Sequence, residues 1–429
     1  MKDGDKAGLS DRLSPGVILL FAVAGGLSVA NIYYAQPLLE VMARELSISP
    51  ASIGIVVTVT QIGYALGLIF IVPLGDLLER RRLIVGQAIL SSVALIIVSQ
   101  APTATVLLVG MVAVGLLAVV VQVLVAFAAS LAAPAERGRV VGSVTSGIVI
   151  GILLARFVSG VLADLGGWRS VYLASAMLTL LMAALLSRTL PRQEQGSEVP
   201  SYPALLRSML VLFIEEPVLR IRAVIGLLIF ATFSTFWTSI VLPLSAPPLL
   251  LSHTEVGLLG LAGVAGALAA GGAGRMADQG QGQRTTGISL SLMLVAWIPI
   301  VLTRVSLWAL IVGVIVLDLA IQAVHVTNQS MIFAVRPEAR SRLVAGYMVF
   351  YSLGSASGSI ASTLVYSWAG WTGVCVLGAA ISTLALLFWA TTRHVTGAAH
   401  STRHVNSSER GASSRTSEQL VASPSRQAR

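Results

Sequence analysis

The chain has 429 residues, of which 55% are hydrophobic and only 11% are charged, and its formal net charge is +9. Because soluble domains carry roughly 25% charged residues, this composition excludes an ordinary soluble protein and indicates a protein whose solvent is lipid. The chain has one cysteine, Cys375, which excludes a disulfide framework and a cysteine metal cluster.

Twelve apolar runs, each long enough for a membrane-spanning helix of about 20 residues, are separated by short polar segments. They lack the alternation of membrane β-strands and therefore predict helices. We number them spans 1 to 12. They start near Val17, Ser52, Leu83, Val106, Val140, Val171, Ala223, Val256, Thr286, Val305, Leu343 and Val374. Span 1 has no small-residue cleavage site, so we expect a mature helix rather than a signal peptide.

The spans form two groups of six around a polar middle segment. The middle segment contains an amphipathic stretch starting at Tyr202 that is suited to a helix on the membrane surface. The C-terminal tail is rich in Ser, Arg, Thr and Gln and has too few apolar residues to fold. We expect an N-terminal tail at 1–13, an N-terminal bundle at 14–190, a central cytoplasmic loop at 191–222, a C-terminal bundle at 223–390 and a disordered cytoplasmic tail at 391–429.

Lysine and arginine residues set the orientation of such a chain. With a cytoplasmic N-terminus, 24 of the 28 basic residues lie on the inner side, and the outer loops contain three, Arg44, Arg169 and Arg304. This distribution predicts a multi-pass protein of a bacterial inner membrane with both termini cytoplasmic. Basic loops beside anionic lipid also account for the net charge without a nucleic-acid partner.

Several landmarks of the first half recur in the second half. The polar loop Val72–Arg82 has a counterpart at Gly274–Arg284, about 202 positions later. The landmarks Pro134, Arg137, Arg139, Gly151 and Trp168 recur 203 residues later as Pro337, Arg340, Arg342, Gly354 and Trp371. Two homologous halves in one membrane chain predict a pseudo-symmetric transporter with its site between the halves. We expect it to work as a monomer on a small-molecule substrate.

Two charged residues lie well inside the predicted spans, Asp318 in span 10 and Arg156 in span 5. Insertion of such a charge costs about 2.5–3.5 kcal/mol at a helix centre, so it is tolerated where it faces protein or a water-filled cavity. We therefore expect neither side chain to face lipid. A structural or snorkelling role for Arg156 is the alternative.

Span 10 contains a polar stripe on one helical face, formed by Asp318, Gln322, His325, Asn328 and Gln329. Histidine titrates near neutral pH with an ordinary pKa of about 6.5, and intramembrane carboxylates and histidines are the usual proton carriers of transporters. Asp318 and His325 are therefore the predicted proton sites, with Arg156 as their modulator. A structural hydrogen-bond network is the alternative reading of the stripe.

Other polar residues within the spans predict a substrate cavity. The predicted lining residues are Asn31, Gln61, Gln122, Trp237, Gln322 and Asn328. Tyr33 and Tyr34 suit either the membrane interface or the cavity wall. No phosphate-binding loop is present, so we expect a gradient rather than ATP as the energy source. We expect no cofactor and no enzyme activity, because no nucleophile, base and orienting partner occur together.

The loop Val72–Arg82 resembles the signature of the major facilitator superfamily, Gly-x-x-x-Asp-(Arg/Lys)-x-Gly-Arg-(Arg/Lys), between spans 2 and 3. It departs from that pattern at Val72, Leu77 and Glu79. The resemblance extends over about 17–390 and implies an all-α membrane protein with twelve transmembrane helices in two pseudo-symmetric six-helix bundles. In this family the loop acts as a conformational latch. The implied latch residues are Asp76, Arg80, Arg81 and, in the second half, Asp278. A purely topogenic role is the alternative.

Span 5 resembles the antiporter signature of proton-coupled exporters between Gly142 and Gly160, although Arg156 stands where that signature has proline. Met111 occupies the place of the arginine that such exporters carry in span 4, so Arg156 is a candidate to replace it. Overall the chain resembles the bacterial branch of drug and arabinose-type efflux permeases. This resemblance implies proton-coupled export of a small organic molecule, with an uptake symporter or a non-transporting membrane sensor as alternatives.

Overall fold

The computed structural model describes the backbone of residues 14–133, 136–191, 201–263, 272–273, 275–336 and 339–421. The side chains of residues 277–278, 340–341 and 395–421 lie outside this description. Every regular element within the described ranges is a helix, in agreement with the expected all-α membrane protein.

The helices of the N-terminal half follow the predicted spans 1 to 6. They are Pro15–Tyr33, Leu39–Glu45, Ile55–Phe70, Arg80–Ser99, Ala104–Ala118, Val120–Leu131 and Arg137–Thr189. Short helical turns continue span 1 to Glu45 and span 2 to Asp76, and span 4 runs over Ala104–Leu131 with a local irregularity.

The helices of the C-terminal half begin with one from the amphipathic stretch of the central loop. They are Tyr202–Glu215, Pro217–Ser239, Val241–Ser245, His253–Ala262, Gly282–Val295, Trp297–Val301, Leu307–Phe333 and Arg340–Val421. The last helix continues past the expected end of the bundle. The expectation of a disordered tail at 391–429 stays a prediction, because it falls mainly on residues 395–429, whose side chains are not described.

Two glycines break the longest helices into pairs of spans. Gly167 has φ 75° and ψ 165°, and Gly370 has φ 61° and ψ −159°. This region of backbone space is essentially restricted to glycine. The two glycines are 203 residues apart, which is the repeat offset. The break between spans 5 and 6 is therefore equivalent to the break between spans 11 and 12. With these two breaks, the nine long apolar helices within the described ranges comprise eleven spans.

Span 8 accounts for the twelfth helix. The structure describes the helix His253–Ala262 at its start, and residues 264–271 of the predicted span lie outside the described ranges. The prediction of twelve helices in two pseudo-symmetric bundles is therefore confirmed in its architecture.

Close helix contacts within each half rely on glycine. A Cβ added at Gly151 would lie 2.3 Å from the carbonyl oxygen of Gly26, and one at Gly354 would lie 2.0 Å from that of Leu227. The pairs join span 5 to span 1 and span 11 to span 7. Since lipid provides no hydrophobic drive for helix association, such small residues allow the backbone approach that holds the helices together.

The two halves contact each other through spans 2 and 11 and through spans 5 and 8. Thr58 donates a hydrogen bond to the carbonyl of Ala356 (2.9 Å), and Asp164 accepts one from the backbone N–H of Thr254 (2.8 Å). A Cβ at Gly160 would lie 2.3 Å from the carbonyl oxygen of His253. These contacts lie at the ends that the distribution of basic residues assigns to the outer side.

The start of span 7 differs from the sequence expectation. Its helix begins at Pro217, where proline suits the first helical turn, and not near Ala223. Arg222, expected in the cytoplasmic loop, therefore lies inside the helix with a fully buried side chain. The chain thus has a second buried arginine in addition to Arg156.

Candidate functional site

Arg156 of span 5 lies in an aromatic box at the boundary between the halves. Its side chain is 3% exposed, and its guanidinium carbon lies 4.0 Å from the ring centroid of Trp237, 5.1 Å from that of Tyr33 and 5.4 Å from that of Phe233. Its Nε donates a hydrogen bond to Gln36 Oε1 (2.7 Å). Desolvated cation–π contacts stabilise by about 2 kcal/mol or more, so the three rings help to hold the guanidinium inside the protein.

Asp318 of span 10 also contacts Trp237. Its side chain is 5% exposed, and Oδ1 accepts a hydrogen bond from the indole Nε1 of Trp237 (3.1 Å). The ion pairs formed between described side chains do not include Arg156 with Asp318. One indole therefore contacts the buried cation of the N-terminal half and the buried carboxylate of the C-terminal half.

Glycines of span 8 make room for both charged groups. A Cβ at Gly260 would lie 3.0 Å from Arg156 Cβ, and a Cβ at Gly263 would lie 3.0 Å from Asp318 Oδ2. These glycines therefore let span 8 pack directly against the charged site.

Two tyrosines form a second link between the halves beside this site. The hydroxyls of Tyr33 in span 1 and Tyr351 in span 11 share a short hydrogen bond. Phe230 packs against the Tyr351 ring with a centroid distance of 3.9 Å, and Phe233 meets Tyr33 edge to face at 6.4 Å. Aromatic side chains therefore enclose the site where spans 1, 7 and 11 meet.

His325 belongs to a separate polar cluster further along span 10. Its Nδ1 lies 2.9 Å from the Tyr347 hydroxyl, and the amide nitrogen of Gln329 lies 3.3 Å from its Nε2. An amide nitrogen only donates, so Nε2 accepts and the Nδ1–H donates to Tyr347. Asp318 and His325 thus bond to different partners, and the predicted polar stripe divides into two clusters.

Arg222 completes the second cluster from span 7. Its Nη1 donates to Thr286 Oγ1 (2.9 Å) and to Asn328 Oδ1 (3.2 Å), whereas its buried Nε and Nη2 have no hydrogen-bond partner in the described structure. Asn328 also lies 3.5 Å from the Tyr347 hydroxyl, which connects Arg222 to His325. A buried charge with unfilled donors is costly and calls for an explanation.

The remaining predicted cavity residues are distributed among the helices. Asn31 accepts a hydrogen bond from Ser175 (2.6 Å) inside the N-terminal half, and Gln122 donates one to the Tyr64 hydroxyl (3.2 Å). Gln61 is 2% exposed, and its buried Oε1 has no hydrogen-bond partner among the described residues. Gln322 is half-buried. The structure therefore brings Arg156, Trp237 and Asp318 together, whereas Asn31 and Gln122 bond to partners outside this group.

The predicted latch residues make local contacts. Arg80 pairs with Asp76 (Nη2 to Oδ1, 3.4 Å) and donates from Nε to the carbonyl of Gly75 (3.1 Å). Arg81 forms a short hydrogen bond with the carbonyl of Ser187 at the end of span 6. The side chain of Asp278 lies outside the described residues. The role of this loop as a latch stays a prediction.

Sequence reasoning missed four partners of these clusters, Gln36, Tyr351, Tyr347 and Arg222. Gln36 follows Asn31, Tyr33 and Tyr34 at the end of span 1. This cluster of polar residues was the signal that could have identified a hydrogen-bond partner of Arg156. The tyrosines of span 11 lie in a run that contains no charged residue between Leu343 and Trp371, so the sequence does not single them out.

Comparison with known proteins agrees with this architecture. Residues 21–246 and 223–424 match the family model of the Major Facilitator Superfamily. The chain is 47% identical over 378 residues to the uncharacterized transporter YgaY of Escherichia coli O157:H7, covering 88% of this chain and 96% of that protein. It is 27% identical over 261 residues to the inner membrane transport protein YnfM of Escherichia coli K12, covering 61% and 63% of the two chains.

Solved structures share the fold at low sequence identity. A bacterial homolog of the human lysosomal transporter Spinster, in an inward-facing and unoccupied conformation, superposes with a TM-score of 0.72 at 15% identity, covering 90% of this chain and 96% of that one. The nucleoside transporter NupG superposes with a TM-score of 0.69 at 13% identity, covering 87% and 99%. Together with the family match over both halves, these relationships identify the chain as a membrane transporter that belongs to the major facilitator superfamily.

Proposed function

We propose that this transporter exports a small organic molecule across the bacterial inner membrane in exchange for protons, by alternating access. One observation carries the proposal. Trp237 donates to the buried carboxylate Asp318 of one half, and the same indole lies under the buried guanidinium Arg156 of the other half. Protonation of Asp318 therefore changes the force between the two halves.

The charge state of Asp318 provides a coupling rule. An ionised carboxylate attracts Arg156 across the indole, in surroundings where charges are poorly screened, and so favours the closed outer end. A proton on Asp318 removes that attraction and frees the halves to move. The contacts between spans 2 and 11 and between spans 5 and 8 are then no longer supported by this attraction.

Exchange follows if substrate and proton compete for Asp318. A substrate that enters from the cytoplasm and presents a hydrogen-bond donor or a cationic group to this carboxylate takes the place of the proton. Either ligand releases the halves, whereas the empty, ionised site holds them. Because each ligand must leave before the other binds, the two move in opposite directions.

His325 is the proposed relay between Asp318 and the cytoplasm. Span 10 runs inward from Leu307 to Phe333, so His325 lies seven residues, or about 10 Å, closer to the inner side than Asp318. Its ring is half-buried and bonded to Tyr347 and Gln329. A proton released from Asp318 reaches this ring through water before it leaves.

The proposed cellular location is the bacterial inner membrane with both termini cytoplasmic. The bias of Lys and Arg toward one side of the chain supports this orientation. The match to an inner membrane transport protein of Escherichia coli points to the same membrane.

Proton flux in inverted membrane vesicles tests the proposal. Respiration acidifies the lumen, and a panel of drug-like compounds, sugars and metabolites is added to the outside, which is the former cytoplasmic face. Exchange predicts that an exported compound raises luminal pH and that Asp318→Asn abolishes this response. The control Glu40→Gln removes a carboxylate that pairs with Arg44 inside one short helix, and it should respond like the wild type. A compound-driven fall in luminal pH would instead favour the uptake symporter.

A further inference from the structure

A groove of approximately 630 Å³ lies between spans 9 and 12 of the C-terminal half. One end carries two cationic side chains, Arg284 and Arg393, and an indole, Trp389. The rest is mainly apolar, with Ile288, Leu292 and Val295 in line along span 9. These three side chains are 36–52% exposed, and they lie on a helix that faces lipid in this fold.

The cationic end lies on the side that the distribution of basic residues assigns to the cytoplasm. The Arg393 guanidinium carbon is 5.7 Å from the centroid of Trp389, whose indole N–H donates to Gln283 (2.9 Å). Arg284 is exposed and makes no ion pair with a described residue. The tryptophan thus holds one wall of the groove in place, and a positive charge lies on each helix at its mouth.

The positions that correspond to the two arginines differ in the N-terminal half. At the repeat offset of 203 residues, Arg81 corresponds to Arg284 and Leu190 to Arg393. Arg81 donates to the carbonyl of Ser187 at the end of span 6, and Leu190 is 2% exposed. The first half therefore has a bonded arginine and a buried leucine at these positions, whereas the second half has two exposed arginines that line the groove.

We propose that the groove binds an anionic phospholipid of the inner leaflet. The phosphate lies between Arg284 and Arg393, where both guanidinium groups can donate charge-assisted hydrogen bonds to its oxygens. An acyl chain follows Ile288, Leu292 and Val295. Arg284 and Val295 are eleven residues apart, about 16 Å along a helix, and one leaflet contributes half of a hydrocarbon core of about 30 Å. Basic pockets between spans on the cytoplasmic side are recognised sites for anionic headgroups.

Native mass spectrometry of the purified full-length chain tests this site with two probes, dioleoyl phosphatidylglycerol and dioleoyl phosphatidylethanolamine. The wild type should retain the anionic lipid in preference to the zwitterionic one. The double variant Arg284→Gln/Arg393→Gln should bind the anionic lipid about tenfold more weakly. Both side chains are exposed, so folding should be unaffected, and an unchanged melting temperature of the lipid-free protein checks this.

The control variant Arg82→Gln/Arg139→Gln removes the same charge from the same membrane face, at exposed side chains of spans 3 and 5. It should retain the anionic lipid as the wild type does. Equal loss in both double variants would overturn the site, because it would reveal a general effect of charge. Equal retention of the two lipids, or full displacement of phosphatidylglycerol by excess inorganic phosphate, would also contradict a phospholipid groove.

Discussion

The Arg156 guanidinium carbon lies 4.0 Å from the ring centroid of Trp237, across the boundary between the two halves of the transporter. The same indole donates to Asp318. A cation and a carboxylate that are each expensive inside a membrane therefore meet through one aromatic side chain. Under the proposed mechanism, this arrangement connects protonation of Asp318 with the contact between the halves.

Trp237→Phe should weaken proton coupling about tenfold while leaving the fold intact. Phenylalanine retains a ring under Arg156 but lacks the N–H that bonds Asp318, and a hydrogen bond to a charged group contributes about 1.5–3 kcal/mol. The measurement is luminal pH change per transported compound in inverted vesicles. The matched control is Trp297→Phe, which removes a buried indole bond to Ser382 (3.2 Å) inside the C-terminal half. Coupling in Trp237→Phe equal to that of the control would contradict this role.

Asp164→Ala should favour opening of the outer end. The Asp164 carboxylate accepts from the backbone N–H (2.8 Å) and hydroxyl (2.6 Å) of Thr254 and lies 2.8 Å from His253 Nδ1, so it joins span 5 to span 8. Its partial exposure weakens these bonds, and we expect a shift of about 1 kcal/mol.

An impermeant maleimide measures this opening at a cysteine placed at buried Ser159, in a Cys375→Ala background. Labelling from the outer side should be about fivefold faster with Asp164→Ala. The control Glu40→Ala breaks an ion pair within one helix of the N-terminal half and should label at the parental rate. Unchanged labelling in Asp164→Ala would show that this contact does not hold the outer end closed.

Gly167→Ala and Gly370→Ala should each destabilise the protein by roughly 1–3 kcal/mol. Neither position has a neighbouring atom that would meet a new Cβ, so the effect comes from backbone strain alone. Gly86→Ala is the control, since its Cβ also meets nothing and its helix tolerates alanine. Thermal unfolding in detergent provides the comparison. Equal melting temperatures for all three variants would show that the turns at Gly167 and Gly370 do not require glycine.

Arg222→Met should preserve or raise thermal stability and reduce transport at least about tenfold. Replacing a buried ion by an apolar side chain of similar size is often neutral or stabilising by 1–4 kcal/mol. Transport should fall because Arg222 is connected to His325 through Asn328 and Tyr347. The control variant is Arg220→Met, at an exposed arginine two residues earlier, and it should transport normally. A destabilised Arg222→Met with normal specific transport would assign this arginine a structural role only.

Much of the fold was predictable because lipid leaves few alternatives. Each span must satisfy its backbone internally, so twelve long apolar runs predict twelve helices, and the repeat offset predicts two equivalent halves. Span 7 shows where this reasoning fails. A basic residue next to an apolar run is typical of a cytoplasmic flank, so the sequence predicts that Arg222 lies in the loop. Its burial arises from tertiary packing, which the sequence pattern does not show.

The charged centre of the site was predictable, whereas its contacts were not. The energetic cost of Asp318 and Arg156 in a membrane singles them out in the sequence. Trp237 is 81 residues from Asp318 and on another helix, and periodicity alone does not reveal how two helices are rotated against each other. For the same reason, the stripe of span 10 reads as one polar face although its members contact two different sets of partners.

The distance between the outer ends of the two halves shows whether protonation of Asp318 opens the transporter. Spin labels at Leu165 and Trp308, which are 80% and 77% exposed, report this distance by electron–electron resonance in the Cys375→Ala background. We expect a longer distance at acidic than at neutral pH in the parent, and the longer distance at both pH values in Asp318→Asn. A distance that does not change with pH in the parent, or that still changes in Asp318→Asn, would contradict proton control through Asp318.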